Sequence, residues 1–122
     1  MAKILIAEDD DMVRGLVMRA LGEDGHDLTA TVDGAAALEA LDRHNGDFDL
    51  LLTDVKMPKM DGIALALAAG REHPEVAIML MTGYADQRER THGLDALVHD
   101  VIAKPFSVEQ IKGAVREALV QR

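Results

Sequence analysis

At 122 residues, with 48% hydrophobic and 29% charged positions, the chain has the size and balance of one globular domain, not two and not a disordered tail. Its net charge of −9, from 22 acidic and 13 basic residues, argues against direct nucleic-acid binding, because phosphate contacts need Lys and Arg. Without cysteine there is no disulfide, thiolate nucleophile or Cys-bound metal, no apolar run approaches the ~20 residues of a membrane-spanning helix, and Met1-Ala2-Lys3 does not begin a secretory signal, so the expected location is the cytoplasm.

Lys3 to Ala7 is a short apolar strand that stops at Glu8-Asp9-Asp10-Asp11, since four acids cannot continue a buried strand. Met12 to Leu21 carries Met12, Val13, Leu16, Val17, Ala20 and Leu21 on one helical face, and Gly22 and Gly25 mark its end. Asp10 and Asp11 suit the cap and dipole of this helix better than a metal. Leu28 to Val32 is a second strand. Asp33-Gly34 closes it and caps a helix from Ala35 to about His44. Asp49 to Thr53 is a third strand, stopped by Asp54. The segment from Lys56 to Gly62 is a loop, with Pro58 and a turn-and-cap at Asp61-Gly62. A third helix runs from Ile63 to about Arg71 and ends at His73-Pro74. Val76 to Met81 is a fourth strand, with Met79-Leu80-Met81 in the core, and ends at Thr82-Gly83. Asp86 to about Leu97 reads as a fourth helix and Val101 to Ala103 as a fifth strand before Lys104-Pro105. Ser107 and Gln110 form a capping box for the last helix, whose Val108, Ile111, Val115 and Leu119 face inward.

Five strands alternating with five helices predict an α/β fold, a parallel sheet with helices on both faces. In such a sheet ligands bind outside the carboxyl ends of the strands. There the sequence places Glu8 and Asp9, Asp54, Thr82 and Lys104: three acids, a hydroxyl and an ammonium on one edge. Clustered carboxylates repel one another and suit a hard cation with oxygen ligands, Mg²⁺ above all. A carboxylate held beside such an ion can attack phosphorus and form an acyl phosphate, with the cation and the ammonium neutralising the transferred group. His26, His44, His73, His92 and His99 have no ligand-like spacing and are expected on the surface. Met57 and Met60 are loop and packing residues.

The segments KILIAEDDD, LLTDVKMPKMDG, MTGYAD and VIAKPF occur in order across the whole chain, and together they resemble a response-regulator receiver domain of a two-component system. The resemblance implies a flavodoxin-like sheet of order 2-1-3-4-5, a fold for which a chemotaxis response regulator is a standard example. It implies that Asp54 is the phosphoacceptor, that Asp9 binds Mg²⁺ directly, and that Glu8 does so through a metal-bound water. Lys56 would give the metal its backbone carbonyl, Thr82 would move toward the phosphoryl group, and Lys104 would contact it, followed by a cis peptide to Pro105. Many receivers carry Tyr or Phe where this chain has Val101, so the coupling of threonine to an inward-turning aromatic is absent or replaced. Tyr84 is placed as a gate over the phosphoryl group. The implied protein is a single receiver domain over residues 1–122. It would be phosphorylated by a histidine kinase or phosphotransfer protein and would have no enzymatic turnover beyond its own phosphorylation and dephosphorylation. A downstream protein would bind the face formed by the fourth helix, fifth strand and fifth helix. More narrowly, a free-standing receiver without that aromatic resembles a group controlling regulated proteolysis in the bacterial cell cycle. Two rival readings are a constitutive binding module that never takes up phosphate, and a phosphatase working through an aspartyl-phosphate.

Overall fold

The computed structural model describes residues 2–83 and 97–121. Five parallel strands, β1 (Lys3–Ala7), β2 (Asp27–Thr31), β3 (Leu50–Asp54), β4 (Ala77–Thr82) and β5 (Asp100–Ala103), lie in the order β2-β1-β3-β4-β5. The helices among the described residues are α1 (Asp11–Glu23), α2 (Gly34–Arg43), α3 (Gly62–Glu72) and α4 (Val108–Gln121). The helix expected over residues 86–97 lies, but for Leu97, outside the described residues, as do Tyr84 and His92.

The side-chain alternation of the strands divides the core into two layers. Leu5, Leu51, Ile78 and Leu80 pack with Ala37 and Leu41 of α2 and Leu65 and Ala69 of α3. Ile4, Ile6, Leu50, Leu52, Met79 and Met81 pack with Val17 and Leu21 of α1 and Ile111 and Val115 of α4. Only β3 and β4 are buried along their whole length, with β1 buried after Lys3. The edge strands β2 and β5 are half exposed, so strands buried on both faces are confined to the centre of the sheet.

The caps follow the sequence signals. Asp10 accepts the Met12 and Val13 N–H groups, Asp33 that of Ala36 and Asp61 that of Ala64. Ser107 and Gln110 cap α4 reciprocally, at 3.1 and 2.7 Å. α1 runs past Gly22, whose missing side chain leaves only Leu28 nearby, and the chain turns at Gly25, where φ is +81°. β3 and β4 each begin one residue later than expected. Asp49 caps the sheet instead, accepting the Lys3 N–H on its side chain at 2.8 Å, and Val76 closes the turn from His73.

Candidate functional site

The same alternation builds the site. On β1, β3 and β5 the side chains of Ile6, Leu52 and Ile102 belong to the layer under α1 and α4. Two residues further along each strand stand Glu8, Asp54 and Lys104. The ladder still holds at these positions: Glu8 N–H donates to the Thr31 carbonyl at 3.1 Å and Lys104 N–H to that of Thr82 at 2.7 Å. Three charged groups therefore emerge on one face, at the point where the apolar layer runs out.

Lys104 lies between the two buried acids. Its Nζ donates to Glu8 Oε1 at 2.8 Å and sits 3.1 Å from Asp54 Oδ2. Asp54 Oδ1 accepts the Val55 N–H at 2.9 Å, and Glu8 Oε2 accepts that of Asp10 at 3.0 Å. Carboxylate oxygens of Glu8, Asp9 and Asp54 all lie within 4.8 Å of one another. Asp9 is exposed, whereas Glu8 is fully buried and Asp54 nearly so. The charged groups line an open cleft of about 550 Å³ together with Asp10, Lys56 and Gly83. Val13, Leu16, Pro105 and Phe106 form its apolar wall. The Lys104–Pro105 peptide is cis, as the resemblance implied.

Burial pushes the Glu8 carboxyl up to about 7 from its ordinary 4.5. The hydrogen bonds from Lys104 and Asp10 oppose this rise, and the charge of Asp54 adds to it. For Lys104 burial favours the neutral amine, but the Glu8 hydrogen bond and the charge of Asp54 outweigh it, and its pKa is raised. One ammonium is thus shared between two carboxylates. With Asp9 included, three carboxylates stand around the Lys104 ammonium, and full ionisation of these four groups leaves two negative charges over. That donor set, all oxygen and open to solvent on the Asp9 side, fits a hard divalent cation of the Mg²⁺ kind.

Thr82 departs from this grouping. It ends β4 with the parity of Leu80, which belongs to the layer under α2 and α3. Its hydroxyl is buried and has no hydrogen-bond partner among the described residues, an arrangement that native proteins seldom leave without a use. Val101 shares that layer as a partly buried packing residue.

The structure also shows what the sequence reading overlooked. The Lys104–Glu8 bond spans 96 positions of sequence, and the resemblance implies for this lysine only a contact with the phosphoryl group. The parity of the strand ends was the available signal. His73 is not a simple surface residue: its ring is largely buried and its Nε2 lies 3.0 Å from Asp42. Glu72 completes a second group with them, where the ends of α2 and α3 meet. His26 is half-buried, with its ring accepting the Ala2 N–H at 3.2 Å. His44 and His99 are exposed, as expected.

Residues 4–116 match the model of the response regulator receiver domain. The chain is 36% identical over 120 residues to the response regulator receiver protein CpdR of Brucella abortus (strain 2308), covering 98% of each. It is 35% identical over 119 residues to the sensor kinase CckA of the same organism, covering 97% of this chain but only 12% of that one. For the transcriptional regulatory protein TcrA of Mycobacterium tuberculosis the identity is 31%, and this chain spans 44% of the relative's length. Among solved structures, the REC domain of AraT, a response regulator from Geobacillus stearothermophilus, superposes with a TM-score of 0.86 at 29% identity, covering 98% of this chain and 94% of that one. A CheY-like receiver domain protein from Methanospirillum hungatei JF-1 gives 0.88 at 26% identity, with 99% and 95% covered.

Proposed function

The chain belongs to the response regulator receiver family, and on that premise we propose that it is a free-standing phosphorylation switch whose acceptor is Asp54. The observation that carries this reading is the juxtaposition of a buried strand-end carboxylate, a lysine 3.1 Å away and two further carboxylates within 4.8 Å. The donor is the phosphohistidine of a histidine kinase or histidine phosphotransfer protein. An Asp54 oxygen attacks phosphorus, and the P–N bond of the donor breaks. The imidazole nitrogen leaves with the electron pair and is protonated there, and Asp54 becomes an acyl phosphate.

Asp9, Asp54 and the Lys56 carbonyl would hold Mg²⁺, with Glu8 in the outer shell. When bound, the ion supplies charge neutralisation of the transferring group. Lys104 exchanges its Asp54 contact for a phosphoryl oxygen. The Thr82 hydroxyl, buried without a partner among the described residues, turns to donate to the same group. The chain is not an enzyme with a separate substrate, and water slowly removes its own phosphoryl group. The output is protein binding on the face that includes β5 and α4, in the cytoplasm.

Incubation with Mg²⁺ and acetyl phosphate, followed by intact mass spectrometry, tests the reading. The expected product is a single labile phosphoryl adduct, absent in Asp54→Asn because an amide is not a carboxylate nucleophile. No adduct on the wild type would favour a constitutive binding module. Rapid phosphate release with turnover would favour a phosphatase, and an adduct on Asp54→Asn would move the acceptor elsewhere.

A further inference from the structure

Gly62, the first residue of α3, reads in the sequence as a turn residue beside its capping Asp61. Its φ lies outside the left-handed region, so no conformational demand calls for glycine there. The requirement is space. A Cβ on Gly62 would fall 1.9 Å from the Asp54 carbonyl oxygen, 2.8 Å from its carbon and 3.0 Å from Val55 Cα. These are backbone atoms and cannot rotate aside as a side-chain tip does.

We propose that Gly62 is a positioning residue for the phosphoacceptor: lacking a side chain, it lets the first turn of α3 seat directly on the Asp54 carbonyl, and this seat fixes the Asp54 carboxylate against Lys104 and the acid cluster. The proposal rests on the reading of Asp54 as acceptor. The peptide joining Asp54 to Val55 is held from several sides. Gly62 N–H donates to the Val55 carbonyl at 2.7 Å, and Val55 N–H reaches the Met81 carbonyl at 3.1 Å. That same N–H donates to Asp54 Oδ1 at 2.9 Å, while the Thr53 hydroxyl donates to the Asp54 carbonyl at 3.0 Å. The group that orients the carboxylate is therefore part of the peptide on which Gly62 sits. A methyl at 62 requires the strand end or the helix start to move by about 1 Å, and a misplacement of about 1 Å costs on the order of a hundredfold in rate.

Gly34 provides the comparison. Its Cβ would fall 2.1 Å from the Met60 carbonyl oxygen, an equally severe clash with backbone, but on Met60 and not on the Asp54–Val55 peptide. Wild type, Gly62→Ala, Gly34→Ala and Asp61→Ala would be compared by urea unfolding, by the phosphorylation rate of the folded protein with acetyl phosphate and Mg²⁺, and by the Val55 amide resonance without metal. Gly62→Ala is expected to phosphorylate on the order of a hundredfold more slowly and to shift the Val55 resonance. Gly34→Ala is expected to lose similar stability but to slow phosphorylation and shift that resonance several times less than Gly62→Ala, since its clash falls on Met60, two residues before the seat, and not on the Asp54–Val55 peptide itself. A wild-type rate in folded Gly62→Ala, or equal slowing in Gly34→Ala, overturns the proposal. If Gly62→Ala does not fold, Asp61→Ala decides the matter. It removes the acceptor of the Ala64 N–H, loosens the same turn without adding a methyl, and should slow phosphorylation severalfold; a wild-type rate would overturn the proposal. A wild type that takes no phosphoryl group fails the Asp54 reading, while the Val55 resonance still reports whether Gly62 holds that peptide.

Discussion

Replacing Glu8 by Gln should remove most of the pH dependence of stability of the metal-free protein between pH 5 and 8. The Glu8 carboxyl is fully buried and its pKa is raised from 4.5 to about 7, with burial as the first cause. An acid with a raised folded-state pKa makes the folded state bind more protons than the unfolded chain, so stability falls as pH rises through the interval from 4.5 to 7. At about 1.4 kcal/mol per pKa unit, the complete loss from well below pH 4.5 to well above pH 7 is about 3–4 kcal/mol, of which about 2–3 kcal/mol falls between pH 5 and 8. With a urea m-value of roughly 1–3 kcal/mol/M, the unfolding midpoint in EDTA should fall by on the order of 1 M between pH 5 and 8. Glu8→Gln, which keeps the size but not the charge, should flatten that slope. Millimolar Mg²⁺ should flatten it in wild type by favouring the carboxylate. Urea titrations followed by circular dichroism at four pH values would measure all three. Stability that rises from pH 5 to 8 in EDTA, or an equal slope in Glu8→Gln, would refute the argument that burial controls this group.

Two further substitutions address the remaining partners. Lys104→Met removes the cation shared by Glu8 and Asp54; in the folded fraction the chemical-shift response to beryllofluoride on β5 and α4 should shrink severalfold, and a wild-type response would exclude the lysine from the switch. Asp9→Ala removes the exposed carboxylate of the cluster and should weaken Mg²⁺ binding by at least about tenfold with unchanged thermal stability, as read by calorimetric titration.

How far the sequence disclosed this molecule depends on the range of the interaction concerned. Sheet order followed from the resemblance, and the caps at Asp10, Asp33, Asp61 and Ser107 followed from local rules that act within three or four residues. Strand starts slipped by one residue at Asp49, which is held by Lys3 of β1 46 positions away, and at Val76, which closes a local turn on the His73 carbonyl instead of opening β4. The pairing of His73 with Asp42 joins the ends of two helices and has no local signature. The role of Gly62 was hidden for a different reason. An Asp-Gly pair reads as a turn, whereas the tight packing against Asp54 exists only once α3 lies over β3.

The division of the strand ends between two layers bears on how the switch would work. Glu8, Asp54 and Lys104 continue the layer under α1 and α4, and Thr82 and Val101 belong to the layer under α2 and α3. Any response that begins at Asp54 and reaches β5 through Thr82 must therefore cross the sheet from one layer to the other. An aromatic at position 101 would give the second layer a side chain with two alternative positions. Valine, branched at Cβ and held in few rotamers, does not. In this chain the crossing would then fall to Lys104, whose N–H bonds the Thr82 carbonyl at 2.7 Å while its ammonium reaches Glu8 and Asp54. Loss of the Asp54 contact on phosphorylation would pull on the same residue that holds the end of β4, which couples the two layers through backbone rather than through a rotating ring.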